Sequence, residues 1–388
     1  MDPASAIPGR RVLVTGATGF IGGHVVERLA RRSPSHIRAL VRRWGEAARL
    51  GRFPVEIVLG DVTAPSSVDA AMRDVDIVIH CAYGKTGTAA ERRAVTVEGT
   101  RIVAASAAAR RVSRMVHLSS VAVYGPHEGD LDETAARRPS GQPYGEAKLA
   151  AERAALKVAG STGLPLVILQ PAAVYGPYAP VWTIDVLEQM RTHKLILVNG
   201  GTGLQNAVYI QDMIDAILLA CVRPEAVGET FLIAGAEPVT WREFYGYYER
   251  MLGTSATISM SEAEALAFAL RARQRPSLVA ELVTVLRTDA QLRQRLLRTR
   301  DAGPVLRVFR RVVRRAVSAH APGPETRPLA LPVRALAPTA IRYQAARKHV
   351  RIDKARRLLG YDPRIGLETG MRLTEAWARW AGLLAERP

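Results

Sequence analysis

Short apolar runs alternate with helical stretches through the first half of the chain. Helical periodicity is found at about 20–31, 66–73, 90–110 and 144–159. Strands that alternate with helices form βαβ units, and such units build a parallel sheet covered on both faces. The pattern therefore predicts an α/β protein with a doubly wound parallel sheet, whose strands are Arg11–Thr15, Ile37–Val41, Val55–Leu59, Asp76–His80, Arg114–Leu118 and Leu166–Leu169.

A glycine-rich segment follows the first strand directly. Gly16, Gly19 and Gly22 separate that strand from the first helical stretch. A dinucleotide-phosphate loop requires this order, in which the first glycine makes the turn, the second admits the pyrophosphate and the third lets helix pack on strand. The amides at the start of the helix then face the anion. The segment predicts nucleotide binding.

The end of the second strand indicates which cofactor fits. An acid there favours a free ribose 2′-hydroxyl, whereas arginine tolerates a 2′-phosphate. The strand ends in Val41, Arg42 and Arg43, with no acid before Glu46. This favours NADP over NAD; the alternative is that both arginines only contribute to a basic surface.

Tyr144 and Lys148 lie four residues apart in a predicted helix. Residues at i and i+4 share one helix face. A cation near a phenol favours the phenolate, so Lys148 is expected to lower the pKa of Tyr144 from its ordinary value of about 10. Such a tyrosine exchanges a proton with an alcohol or ketone while hydride moves elsewhere.

Further motifs occur in a characteristic order. They cover residues 15–22, 60–62, 80–82, 119–125, 143–148, 171–177 and 209–212. In this order the chain resembles the extended short-chain dehydrogenase/reductase family, in its NAD-dependent epimerase/dehydratase branch. The resemblance runs from about Arg11 to Leu252 and resumes near Ala345. It implies a Rossmann sheet with a smaller C-terminal substrate lobe.

The resemblance also implies roles for individual residues. Ser120 would orient the substrate oxygen, with Ser119 as the alternative, Tyr144 would be the acid/base, and Lys148 would hold the nicotinamide ribose. The implied cofactor-binding set is Gly16, Thr18, Gly19, Phe20, Ile21, Gly22, Arg42, Arg43, Asp61, Val62, Cys81, Ala82, Tyr144, Lys148 and Pro171. The implied substrate-binding set is Tyr83, Ser120, Val174, Gln205, Asn206 and Arg351.

Departures from the family pattern narrow the expected chemistry. Sugar 4,6-dehydratases carry Thr-Asp-Glu where this chain has Ser120, Val121 and Ala122, so dehydration is not expected. Gln170 stands where many relatives carry arginine, and Gln205 and Asn206 stand where nucleotide-sugar enzymes often supply an arginine to the diphosphate. Because a diphosphate prefers charge-assisted partners, these departures weaken the nucleotide-sugar assignment unless Arg347, Lys348 or Arg351 substitutes.

Positive charge concentrates in one segment. The 388 residues carry a net charge of +18, and residues 256–340 contain fifteen arginines, six acids and no lysine. Residues 304–317 have the spacing of a basic amphipathic helix. The alternatives are a helical subdomain packed on the enzyme, contact with an anionic membrane surface, and contact with a partner enzyme. Nucleic acid is not expected, since the segment has only two aromatic residues.

The remaining features concern location and assembly. Two cysteines at this spacing predict neither a disulfide framework nor a metal site. We expect a cytoplasmic homodimer, with peripheral membrane contact through residues 256–340 as an option. The domain prediction is a dinucleotide-binding domain at 1–175, a substrate lobe at 176–255, a basic insert and linker at 256–340, and C-terminal helices at 341–388.

Three functional hypotheses follow from the sequence. The leading one is an NAD(P)-dependent enzyme that transfers hydride at C4 of a nucleotide sugar, by epimerisation or keto-reduction. The second is an NADPH-dependent reductase or dehydrogenase of a non-sugar ketone or alcohol. The third is a nucleotide-binding scaffold without turnover, and the presence of Ser120, Tyr144 and Lys148 together argues against it.

Overall fold

A computed structural model of the chain describes residues 7, 9–32, 36–138, 141–273 and 331–384. Seven parallel strands form the central sheet in the order β11-β7-β5-β4-β1-β2-β3. This confirms the predicted doubly wound α/β fold. The strands of this sheet are β1 (Arg11–Thr15), β2 (His36–Val41), β3 (Val55–Leu59), β4 (Ile77–His80), β5 (Arg114–Leu118), β7 (Leu166–Pro171) and β11 (Thr230–Ile233).

Helices cover both faces of the sheet. On one face α1 packs against α7, and on the other α4 packs against α2 and α5. The helices up to α7 are α1 (Phe20–Arg32), α2 (Pro65–Ala71), α3 (Ala89–Arg93), α4 (Gly99–Ala109), α5 (Pro143–Thr162), α6 (Asp185–Thr192) and α7 (Ile210–Val222). A π-helical turn at Ala94–Glu98 joins α3 to α4, so the predicted helix at 90–110 contains a local widening.

The strands alternate their side chains between two cores. Val12 and Val14 of β1 lie in the core beneath α1 and α7, whereas Leu13 lies in the core beneath α2, α4 and α5. Because successive side chains of a strand point to opposite faces, a strand covered on both sides is apolar throughout. This explains why the sequence shows these strands as continuous apolar runs.

A smaller lobe follows β7. Its strands form a three-stranded sheet in the order β12-β9-β13 and the pair β8 and β10, and β14 pairs with β6 of the first half. The elements are β6 (Asp130–Leu131), β8 (Ala173–Tyr175), β9 (Lys194–Val198), β10 (Ala207–Tyr209), α8 (Trp241–Leu252), β12 (Thr257–Met260), α9 (Glu262–Arg273), β13 (Val333–Arg334), α10 (Pro338–Ala345), β14 (His349–Val350) and α11 (Leu367–Trp380).

The two ends of the 256–340 segment belong to this lobe. Thr257 to Met260 pair with β9, and so do Val333 and Arg334. The basic helix predicted at 304–317 and the rest of 274–330 lie outside the described residues, so the proposed membrane or partner contact of this stretch stays a prediction. Within the described ranges, none of the helices combines the length and apolarity needed to cross a bilayer.

The predicted closing helices also differ in detail. The helix predicted at Ile352–Leu359 is present from Asp353, and its last five residues, Ala355–Leu359, form a π-helical turn. It ends at Gly360, which has φ +68, a left-handed conformation that glycine adopts without a steric penalty. The helix expected at Leu367–Leu384 is α11 and ends four residues earlier, at Trp380.

Candidate active site

The glycine loop brings the ends of β1 and β4 together. Gly16 has φ +68, and a side chain there would meet the amide of Ala82 at 2.7 Å and the carbonyl carbon of Cys81 at 2.8 Å. A side chain at Gly22 would collide with the Gly16 carbonyl oxygen. Both positions therefore require glycine, and the loop after β4 lies against the turn that follows β1.

The start of α1 is open to an anion. The Gly19 amide donates to the Gly16 carbonyl at 3.0 Å, which closes the turn, and α1 begins at Phe20. The first turn of α1 contains no acidic residue. Thr18, Phe20 and Ile21 are half-buried in this turn. A cradle without side chains at the positive end of a helix fits the pyrophosphate of a dinucleotide.

The residues predicted for the adenosine end lie after β2 and β3. Arg42 and Arg43 are both exposed, and Arg43 is paired with Glu46. Arg42 forms no ion pair with any other described residue. The Asp61 carboxylate accepts hydrogen bonds from the backbone and hydroxyl of Thr63, at 2.8 and 2.7 Å. Val62 is buried, and a side chain at Gly99 would meet it at 2.7 Å.

Ser120, Tyr144 and Lys148 meet where β5 ends and α5 begins. The Lys148 ammonium is buried and donates to the Leu118 carbonyl at 2.7 Å. The Tyr144 phenol lies beside the Ser120 side chain, and 45 % of the tyrosine remains exposed. Ser119 is buried in the sheet, and its amide donates to the Leu169 carbonyl at 2.7 Å. The structure thus brings Ser120 to the tyrosine hydroxyl.

We call Ser120, Tyr144 and Lys148 the catalytic corner. Desolvation sets the protonation states of its tyrosine and its lysine. Loss of water around the phenol raises the pKa of Tyr144 to about 12, and the neighbouring Ser120 side chain opposes this shift. Burial lowers the pKa of Lys148 to about 8. The direction for Tyr144 is opposite to the sequence expectation, because the ammonium is anchored on the Leu118 carbonyl and desolvation of the phenol dominates. At neutral pH the corner therefore holds a neutral phenol and a charged lysine.

Buried histidines lie beneath the lysine. The Thr100 hydroxyl donates to the Thr96 carbonyl at 2.6 Å, so it accepts from the Nε2 hydrogen of His80 at 2.9 Å. The Nδ1 atom of His80 then accepts from the Thr15 hydroxyl at 2.7 Å. Burial lowers the pKa of His80 to about 3, consistent with this neutral tautomer. The His117 ring stacks on His80 with centroids 5.3 Å apart.

A series of buried polar side chains ends on Glu152 of α5 and supports this helix. It was not predicted from the sequence. The Tyr124 hydroxyl donates to Gln170 at 2.8 Å, and the Gln170 amide donates to Glu152 at 2.7 Å. Arg137 reaches the other Glu152 oxygen at 3.1 Å. Glu152 follows Lys148 by four residues, and that spacing was the available signal. Gln170, which was predicted to weaken nucleotide-sugar binding because it stands where many relatives carry arginine, lies between Tyr124 and Glu152 in this series of hydrogen bonds.

The residues predicted to bind substrate lie in different surroundings. Tyr83 is 41 % exposed and packs edge-on against Tyr144, with ring centroids 6.1 Å apart. Val174 is buried in β8, where it pairs with Val208. Pro171, predicted to contact the cofactor, is the buried last residue of β7. Of this group, Tyr83 is the one that lies beside the predicted acid/base.

Asn206, Gln205 and Arg351 have surroundings that the sequence did not indicate. Asn206 donates to the Lys348 carbonyl at 2.6 Å and accepts from the Val350 amide at 2.8 Å, which joins β14 to the lobe. The side chain of Gln205 is buried. Arg351 forms ion pairs with Asp130 at 2.6 Å and Asp353 at 2.9 Å.

Lys348, whose carbonyl accepts the hydrogen bond from Asn206, is also a cation of this region. It is buried, and its ammonium lies 4.3 Å from the centroid of the Tyr343 ring. Neither this ammonium nor the Gln205 amide has a hydrogen-bond partner among the described residues. A buried cation without an acceptor is costly unless a ligand or water completes its contacts.

Comparison with known proteins assigns the family. The model of the NAD-dependent epimerase/dehydratase family matches residues 12–234, more than half of the chain. The chain belongs to this family. Its phosphate loop, Ser120, Tyr144 and Lys148 all lie within the matched residues.

Individual relatives are distant. A ketoreductase of 4-hydroxy-2-methyl-3-oxo-4-farnesyl-3,4-dihydroquinoline-1-oxide from Stigmatella aurantiaca is 28 % identical over 241 residues, which are 60 % of this chain and 71 % of the relative. UDP-glucose 4-epimerase from Vibrio cholerae is 27 % identical over 248 residues, 60 % of this chain and 73 % of the relative.

Among solved structures, UDP-glucuronic acid 4-epimerase from Bacillus cereus, in complex with UDP-glucuronic acid and NAD, has a TM-score of 0.67. It is 19 % identical and covers 96 % of this chain and 99 % of its own. This likeness confirms the fold.

Proposed function

We propose that the chain transfers hydride between NAD(P) and the carbon of a ketone or secondary alcohol, with Tyr144 as the proton donor or acceptor. One observation carries this proposal: the Tyr144 phenol lies beside the Ser120 side chain, one helical turn before the buried Lys148 on α5. Membership of the NAD-dependent epimerase/dehydratase family supports it. NAD(P), when bound in the glycine cradle, supplies or accepts the hydride.

The protonation states favour the reductive direction. With a pKa near 12, Tyr144 holds its proton at neutral pH and donates it to the alkoxide oxygen that develops on the substrate. Lys148 remains charged and stabilises the resulting phenolate electrostatically. The Ser120 oxygen accepts from the Ala122 amide at 3.2 Å, which orients the hydroxyl near the tyrosine. In the oxidative direction the same proton returns to Tyr144.

The substrate side favours a ketone without a diphosphate. Asn206 and Arg351 use their polar atoms for contacts within the protein, so neither is a free donor for a diphosphate. Tyr83 forms an aromatic wall beside Tyr144, which suits an apolar substrate body. The likeness to a ketoreductase agrees with this choice.

Hydride transfer at C4 of a nucleotide sugar is the second candidate. Lys348 favours it, because its buried ammonium has no acceptor among the described residues and a diphosphate oxygen would supply one. The likeness to UDP-glucose 4-epimerase agrees with this reaction. For either candidate, the exposed Arg42 favours NADP, since its guanidinium is free to pair with a 2′-phosphate.

A substrate panel tests the proposal. Oxidation of NADPH and of NADH is followed with uncharged aliphatic and aromatic ketones and, separately, interconversion of UDP-glucose is followed with NAD. We expect turnover with a ketone and NADPH. Turnover of UDP-glucose alone would replace the first candidate with the second. Failure of every substrate in both assays, with cofactor binding intact, would contradict the proposed hydride chemistry.

A further inference from the structure

A second concavity lies on the sheet face covered by α1 and α7. It has a volume of about 410 Å³ and is bounded by α1, the 3₁₀ turn at Leu50–Arg52, the loop after β8, α7 and α11. Its lining includes four arginines and two large aromatic residues, Arg28, Arg31, Arg32, Arg52, Tyr178 and Trp377. We call it the arginine groove.

The charge of the arginine groove is only partly neutralised. Its one acidic side chain, Glu27, is shared between Arg31 at 3.2 Å and Arg49 at 3.3 Å. Arg28 is paired with Asp215. Arg32 and Arg52 are exposed, and no carboxylate of the described residues is within ion-pair distance of either. Two guanidinium groups of the groove, from two different elements, thus have no carboxylate partner in the described part of the chain, and that of Arg52 lies 5.4 Å from the centroid of the Phe53 ring.

Two aromatic residues, which we call the aromatic wall, line the same groove. Tyr178 and Trp377 pack with ring centroids 4.9 Å apart, and the Arg49 guanidinium lies 4.0 Å from the centroid of the Tyr178 ring. The indole nitrogen of Trp377 is shielded from solvent and has no acceptor among the described residues. One helical turn further along α11, Trp380 is 75 % exposed. A wall of this kind accommodates a planar or apolar group.

The arginine groove is separate from the catalytic corner. Its lining contains none of Ser120, Tyr144 and Lys148. Arg32 lies twelve residues beyond Phe20, roughly 18 Å along the helix axis from the phosphate cradle. Basic residues at the end of α1 would by themselves only complement the helix dipole. Arg52 and Trp377 come from other elements, so the dipole does not account for their convergence on the same cavity.

We infer that the arginine groove binds a phosphate-bearing ligand with a planar or apolar body, in addition to the cofactor. Arginine forks pair bidentately with phosphate oxygens, and the aromatic wall contacts the adjoining group. A soluble nucleotide and an anionic lipid headgroup share this chemistry. The inference is independent of the proposed reaction, because no catalytic residue takes part.

Calorimetric titration tests the inference on full-length protein saturated with NADPH, so that the cofactor site is filled. Pyrophosphate and ADP probe the soluble source. Cosedimentation with phosphatidylglycerol vesicles, compared with phosphatidylcholine vesicles, probes the lipid source. The variant is the double substitution Arg32→Ala and Arg52→Ala, and the matched control is Arg372→Ala, which removes an exposed charge from α11 outside the lining.

We expect at least a tenfold loss of affinity in the double variant for the soluble probes or for the anionic vesicles, with Arg372→Ala unchanged. Loss of affinity for pyrophosphate and ADP would identify a soluble nucleotide as the ligand, whereas loss of affinity for the anionic vesicles would identify a lipid headgroup. A Trp377→Leu variant is expected to weaken ADP more than pyrophosphate. Equal binding by wild type and double variant, or no binding of any probe to wild type, would overturn the inference. Unchanged NADPH affinity verifies that the variants are folded.

Discussion

The two sides of the candidate cleft use their polar side chains differently. On the cofactor side, Ser120 and Tyr144 lie side by side, Lys148 follows Tyr144 by one turn of α5, and Gly16, Gly19 and Gly22 leave the phosphate loop without bulky side chains. On the substrate side, Asn206 and Arg351 are engaged within the protein. The cofactor side therefore brings together the groups for one chemical step, whereas on the substrate side Lys348 and Gln205 are the predicted residues whose polar atoms lack partners among the described residues.

The largest expected effect concerns the support beneath α5. Arg137→Ala leaves the Glu152 carboxylate buried without its cation, and breaking a buried pair in this way costs about 3–5 kcal/mol. Chemical denaturation measures the loss in the free energy of unfolding. Adding Glu152→Gln to Arg137→Ala removes the unpaired charge and should recover most of the loss. No recovery would mean that Arg137 acts through other contacts.

The next effect concerns the phosphate cradle. Gly22→Ala places a methyl group against the Gly16 carbonyl, and overpacking of this kind costs about 1–3 kcal/mol. Because the strain falls on the phosphate loop, we expect it to appear as a loss of roughly 5- to 150-fold in cofactor affinity. Fluorescence titration with NADPH measures it. Gly160→Ala is the matched control, because a side chain there meets no atom within 4 Å. Cofactor affinity unchanged in Gly22→Ala would place the cofactor elsewhere.

An effect of similar size is expected on the substrate side, where the free energy of unfolding changes rather than the affinity for NADPH. Asn206→Ala removes two buried hydrogen bonds to the segment at 348–350, and about 1–3 kcal/mol of unfolding free energy should be lost. NADPH affinity should stay the same. A variant of unchanged stability whose KM rises for the identified substrate would show that Asn206 contacts substrate.

The smallest effect is a pH dependence. Burial lowers the pKa of Lys148 to about 8, so its positive charge is present below that pH and is lost above it. For ketone reduction, kcat/KM should be level below pH 8 and fall by up to about tenfold per pH unit above it. Tyr144, with a pKa near 12, stays protonated throughout. A profile that is identical in a Lys148→Met variant would assign the decline to another group.

The sequence predicted the first half of the fold closely because the parallel strands are buried on both faces. Such strands are mainly apolar, and the predicted strands at 11–15 and 114–118, which are buried almost throughout, have the bounds seen in the structure. The glycine loop was also predictable, since a missing side chain leaves a direct signal at Gly16 and Gly22. Both signals come from a few consecutive residues.

The substrate side was less predictable because its contacts are distant in sequence. Asn206 joins residues more than 140 positions away, and Arg137 reaches Glu152 across the start of α5. Position in a motif does not reveal whether a side chain is engaged by such partners. The pKa of Tyr144 was mispredicted for a related reason, because the four-residue spacing does not show that Lys148 points to the Leu118 carbonyl.

The most direct test follows hydride and proton together. NADPH deuterated at C4 is mixed in a single turnover with an accepted ketone and either wild type or Tyr144→Phe, and deuterium in the product is measured over time. Wild type is predicted to place the label on the new carbinol carbon, and the variant to do so roughly 10²–10⁴ times more slowly with cofactor affinity unchanged. An unlabelled product, or a variant within tenfold of wild type, would contradict the account.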